Sequence, residues 1–353
     1  MPDTDREITE STDSSTTEKP IDLRSDAVTR PDQAMWDAML ADPLDWSHGE
    51  DRTVKTLEST VALLLRKGAA LFVPTGTMAN TLALLGWCRP GDTFVVDADA
   101  HVLRSEADAY ADIARLGVVS LTGVRGHLTP AQITEVLASE TTVRPRLLWL
   151  ENTHTHAGGS AAPIGDLATV SELAKASGLR VHLDGARLWN AAIATGQSPA
   201  ESAAPADSVT VNLNKGLGCP AGALLCGPSD FIRRSRSHMR GLGGRISQAG
   251  LLAACGLSAL SRAVTFPSHD HELATYLAMR LRLVGLSVQE PDSNIVFVEV
   301  SDASETTDRL AESDVFVLAR DPTTIRLVTH RDIEREDIDK AVAVIAQAVL
   351  TID

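Results

Sequence analysis

From residue 53 to residue 214 the chain alternates helical stretches with short, β-branched apolar runs, and few folds accept that order. "TVKTLESTVALLLR" (53–66) sets Leu57, Val61, Leu64 and Leu65 on one helical face, with Gly68 as its stop. "ALFV" (70–73), "TFVVDAD" (93–99), "RLLWLEN" (146–152), "RVHLDG" (180–185) and "SVTVNLN" (208–214) read as short buried strands. Helical stretches such as "DLATVSELAKASGL" (166–179), ended by Gly178, separate them. Strands joined through helices run parallel, so the pattern predicts an α/β fold whose mostly parallel sheet is covered on both faces.

After about residue 262 the pattern changes. "LVGLSVQE" (283–290), "NIVFVEV" (294–300), "VFVLAR" (315–320) and "TIRLVTH" (324–330) read as strands, and a last helix carries Ile338, Val342, Ile345 and Val349. A large domain over 21–262 and a small α+β domain over 263–353 are therefore expected. Residues 1–20, polar and rich in Ser, Thr and acids, read as a disordered tail.

The formal net charge of −15 argues against a nucleic-acid or acidic-membrane surface, and no basic cluster offsets it. No apolar run approaches the roughly 18 residues of a membrane helix. Cys88, Cys219, Cys226 and Cys255 show no metal-like spacing and sit among small or apolar residues, which fits buried thiols in a reducing cytoplasm.

In a parallel α/β sheet, ligands bind at the carboxyl ends of the strands. There, strand after strand releases a polar side chain. Gly76 and Thr77 follow "ALFV" and open a helix, which offers backbone amides to an anion. His101, His154, the pair Asp184 and Arg187, and Lys215 follow the next runs in turn. Asp184 and Arg187 alone would pass for a surface ion pair worth under ~1 kcal/mol. Their convergence with an anion cradle, a lysine and imidazoles suits pyridoxal phosphate, which needs a phosphate site, a Schiff-base lysine and a carboxylate at the ring nitrogen.

The segments "DLRSDAVTRP", "HGEDRTV", "LFVPTGTMAN", "DADAHVLRSEA", "LENTHTHAGG", "HLDGARLWNAA", "LNKGLGCPAG", "QAGLLAACGLSAL" and "IRLVTH" resemble, in order, the motifs of the L-threonine aldolases. That family lies among the fold-type I (aspartate aminotransferase-like) pyridoxal phosphate enzymes, beside the β-eliminating lyases. The resemblance implies cleavage of a β-hydroxy-α-amino acid to glycine and an aldehyde, in a homodimer or homotetramer with shared active sites. It implies Lys215 as the Schiff-base lysine, His101 stacked on the ring, Asp184 on the ring nitrogen, and Gly76 and Thr77 on the phosphate. Ser25, Arg187 and Arg326 would bind the substrate carboxylate, and His154 would serve the β-hydroxyl as base.

The sequence departs from the family's pattern at several positions. His48 and Ser105 stand where tyrosines are usual, and His48 falls near the expected substrate. Thr155 and His156 replace Asn-Arg, while Arg245 and Ser247 alter a segment expected at a neighbouring subunit. These changes keep open other Cα chemistry on the same fold, such as racemisation, β-elimination or transaldolation. A metal site at His154 and His156 or at His182 and Asp184 lacks a third ligand. His182 reads as packed behind its strand, His330 as a cap on "RLVT", and Trp189, Met78 and Cys219 as core. Glu106 and Asp51 suit loop anchors as well as ligand contacts.

Overall fold

The computed structural model describes residues 19–44, 46–47, 50–139 and 144–350; residues 1–18 of the expected tail, and His48, lie outside them. The seven-stranded central sheet runs in the order Ala69–Val73, Ala223–Gly227, Ser208–Asn212, Arg180–Gly185, Leu147–Glu151, Thr93–Asp97, Gly117–Leu121. Only Ala223–Gly227 is antiparallel to its neighbours. Leu147–Glu151, Ser208–Asn212 and Ala223–Gly227 are buried at every residue, as expected of strands covered on both faces.

Two of these strands are not legible as such in the sequence. Gly117–Leu121 is an edge strand with no fully buried residue, so it lacks the apolar run that marks its neighbours. Ala223–Gly227 follows directly on the glycine-rich turn after Lys215, where no helix intervenes and the parallel pattern breaks.

Asp51 caps helix Arg52–Leu64 by accepting the Val54 N–H at 3.1 Å. Leu57, Val61 and Leu65 are buried, but Leu64 faces outward and is 39% exposed. The sheet's helix-covered faces form two apolar clusters, one around Leu148, Leu183 and Val211, the other around Val73, Phe94 and Trp149.

A third cluster joins helices Thr265–Leu283 and Arg335–Leu350 to an antiparallel sheet ordered Ile295–Glu299, Thr324–Val328, Leu318–Asp321. "LVGLSVQE" forms no strand there. The helix runs on to Leu283, Gly285 turns the chain at φ +91°, and Val288 makes a single bridge to Val298. Ile21 and Leu23 pack into this cluster, and Ile21–Asp22 pairs in parallel with Val315–Phe316. We propose 21–262 and 263–353 as the two domains, with the first residues of the former strapped onto the latter. The strap places Ser25 and Asp26 beside the carboxyl ends of the central strands.

Candidate active site

The turn after Ala69–Val73 builds the first half of the site. Thr75 caps helix Gly76–Trp87 by accepting the Met78 N–H at 3.1 Å. A Cβ at Gly76 would lie 2.6 Å from Asn212 Oδ1, so only glycine lets helix and strand approach this closely. They wall a cavity of about 300 Å³ that Gly76, Thr77, Asn80, His101, Asp184 and Lys215 all line.

Asp184 ends its strand, buried, with Glu151 directly across on the next strand. Asn80 Nδ2 donates to Asp184 Oδ2 at 2.9 Å and to Glu106 Oε2 at 3.1 Å, and the Ala186 N–H donates to Asp184 Oδ1 at 3.0 Å. Burial pushes the Asp184 carboxyl up to about 6, and the Glu151 and Glu106 charges add to the rise. Glu151 stays ionised instead: burial opposes this, but His154, His101 and two backbone N–H donors prevail. The result is a buried acid whose nearby His101 and Lys215 charges do not offset burial and its acidic neighbours.

Lys215 is half-buried and lines this cavity and the next. Burial lowers its pKa, and the Arg187 charge lowers it further. His101 Nδ1 sits 3.4 Å from Glu106 Oε1. Burial works against its protonation, but Glu106 and Asp184 raise its pKa overall.

The adjoining cavity, about 390 Å³, is lined among others by Ser25, Ser105, His156, Arg187, Lys215 and Arg326. Arg187 is 3% exposed and forks onto Asp26, Nε to Oδ2 at 2.7 Å and Nη2 to Oδ1 at 2.8 Å. Its Nη1 donates to Thr155 Oγ1 at 3.1 Å. Arg326 Nη2 donates to the Arg24 carbonyl at 3.1 Å, while its buried Nε has no hydrogen-bond partner among the described residues. Burial, aided by Arg187, lowers the Arg326 pKa to about 10. Three guanidiniums, those of Arg187, Arg320 and Arg326, thus line one cavity.

The structure corrects the placement of His154. It is fully buried and lines neither cavity. Its Nε2 lies 3.1 Å from Asp97 Oδ1 and 4.0 Å from Glu151 Oε2, two carboxylates that draw the ring under the strand ends. Burial disfavours its protonation, but Glu151 and Asp97 raise its pKa overall. Two residues on, His156 is half-buried and lines the second cavity, so these two imidazoles do not share a metal-binding face.

Asp26, Asn80 and Glu151 are site residues that strand-end reasoning missed. The only signal for Asp26 was its place beside Ser25. Glu106 turns out to line the first cavity, whereas Asp51 anchors a loop by accepting the Gly250 N–H at 2.8 Å. His182 is buried with Nδ1 2.8 Å from Ser208 Oγ, and His330 Nε2 donates to the Asp22 carbonyl at 2.7 Å. Trp189 and Cys219 are core, and Met78 packs against it half-buried.

A family model described as β-eliminating lyase matches residues 22–303. The low-specificity L-threonine aldolase of Escherichia coli (strain K12) is 38% identical over 336 residues, spanning 92% of this chain and 97% of that protein. The chain belongs to the threonine aldolase family. A low-specificity L-threonine aldolase of Arabidopsis thaliana is 33% identical over 351 residues, 94% of this chain and 97% of its own length. The solved threonine aldolase of Leishmania major shares the fold at TM-score 0.78 and 22% identity, covering 93% of this chain and 99% of that one. The α/β fold expected from the strand pattern is thus the fold of pyridoxal phosphate enzymes of type I.

Proposed function

We infer that the protein is a pyridoxal phosphate-dependent lyase of the threonine aldolase type, cleaving an L-β-hydroxy-α-amino acid to glycine and an aldehyde. The observation that carries this is Asp184 and Lys215 lining one cavity beside a helix N-terminus, with three guanidiniums in the cavity next door. The first cavity fits the cofactor. Gly76 and Thr77 present helix-end amides to a phosphate, Asn212 Oδ1 has no hydrogen-bond partner among the described residues, and the raised Asp184 carboxyl would be satisfied by a protonated ring nitrogen. Bound there, pyridoxal phosphate acts as an electron sink for the bond broken at Cα.

The chain's own groups do the rest. Asp184 would hold a bound ring nitrogen protonated, and His101, lining the same cavity, would hold the ring. Lys215, its amine shifted toward the neutral form, is the nucleophile for the cofactor carbonyl. Ser25, Arg187 and Arg326 bind the amino acid's carboxylate, which sets the Cα–Cβ bond relative to the cofactor plane. Asp26 keeps Arg187 aimed.

We further propose a cytoplasmic homodimer or homotetramer with shared active sites. Support comes from the segment 241–250, where Leu242 and Ile246 are 40% and 38% exposed between two helices and Arg245 and Ser247 are also exposed. No single helix among the described residues is long and apolar enough to cross a membrane.

A panel of β-hydroxy-α-amino acids incubated with holoenzyme tests the reading. Glycine and the matching aldehyde should appear in equal amounts from at least one L-isomer. A keto acid with ammonia, or the enantiomer alone, would instead mark elimination or racemisation.

A further inference from the structure

We propose that His156 is a catalytic residue, the group that receives the β-hydroxyl proton as the Cα–Cβ bond breaks. This rests on the aldolase reading above and names the base that reading requires. Three imidazoles lie around the two cavities, and their surroundings separate them. His101 lines both cavities, but its Nδ1 is engaged 3.4 Å from Glu106 Oε1, and His154 is sealed beneath the strand ends against Asp97. His156 lines the substrate cavity with Lys215, Arg187 and Arg326, and its buried Nε2 has no hydrogen-bond partner among the described residues.

The mount of His156 is stiff. The preceding Thr155 N–H donates to Glu151 Oε1 at 2.8 Å, and Thr155 Oγ1 accepts from Arg187 Nη1 at 3.1 Å. The His156 carbonyl accepts from Arg320 Nε at 3.0 Å, and the Arg320 guanidinium lies 5.1 Å above the Phe297 ring. Residues fixed in this way hold a reacting group within the tolerance that catalysis needs. Glu151, His101, Arg326 and His154 are the charged or titratable groups that act on the ring. Burial dominates them and lowers its pKa to about 4, so the imidazole is neutral near pH 7 and keeps a lone pair.

The step balances. The β-O–H bond breaks as Nε2 takes the proton, and its electron pair becomes the π bond of the aldehyde carbonyl. The Cα–Cβ pair passes to Cα, for which the bound cofactor would supply the electron sink. Cα then takes up one proton to give glycine, equal in number to the one lost by oxygen.

His156→Phe keeps the ring's bulk and removes its nitrogens. With holoenzyme, cleavage of threonine should slow by about 10²–10⁴-fold, the range of a lost general base. Calorimetry should show that threonine loses its binding advantage over 2-aminobutyrate, while glycine binds with unchanged strength. Exchange of the glycine α-proton in heavy water should continue, since it needs no β-hydroxyl. If His156→Phe cleaves threonine at the wild-type rate, the proposal is overturned although the aldolase reading stands. If the wild-type holoenzyme neither exchanges glycine nor binds it, the aldolase reading itself fails.

Discussion

Asp184→Asn holoenzyme should cleave its substrate on the order of 10²–10³-fold more slowly than the wild type, with the cofactor still bound. That deficit is about 3–4 kcal/mol of barrier. The substitution keeps the shape of the side chain and removes its charge. In the native site the carboxyl is buried among Glu151, Glu106 and the Asn80 amide, and burial with the two acids pushes it up to about 6 although His101 and Lys215 act the other way. A protonated pyridine nitrogen reverses that balance and is itself held protonated by it. Asparagine would offer no such hold to a bound pyridine nitrogen, and the electron sink would be weakened. Turnover at saturating cofactor, with cofactor affinity measured separately, checks this. An unchanged turnover would mean that Asp184 does not face the ring nitrogen.

Asp26→Ala should have the largest effect on stability, about 3–5 kcal/mol, because it strands a buried guanidinium. Arg187 and Asp26 are almost fully buried and joined by two hydrogen bonds. Burial alone would raise the Asp26 pKa, but the Arg187 charge and hydrogen bonds outweigh it and hold the carboxyl at about 2, against an ordinary 3.8. A carboxyl with a depressed native pKa binds fewer protons folded than unfolded. Its stabilisation is therefore complete above about pH 4 and is lost as pH falls through 3.8 toward 2. Denaturant titrations should show the gap between wild type and Asp26→Ala widest near neutrality and narrowing below pH 4. A gap that widens on acidification would contradict the pairing.

The strands that carry Asp184 and Lys215 were legible because burial on both faces leaves a continuous apolar run, and their polar ends then stand out. Gly117–Leu121 was not, since an edge strand with half-covered faces carries no such run. The difference between His154 and His156 was also hidden. Past Glu151 the chain leaves the sheet, and side-chain direction no longer follows the strand's period of two. What decides it is the Thr155 N–H turning back onto Glu151 and the pull of Asp97 on His154, the latter a contact between segments far apart in sequence. Asp26 was obscured for the same reason. It reaches Arg187 across 161 positions, from a strap whose strand pairs with Val315–Phe316.

Reduction of the holoenzyme with borohydride, followed by digestion and peptide mapping, tests the central claim most directly. The pyridoxyl group should be found on Lys215, the lysine that lines both cavities, and Lys215→Ala should carry none. A pyridoxyl group on any other lysine, or a reduced wild-type protein that carries none, would contradict the account.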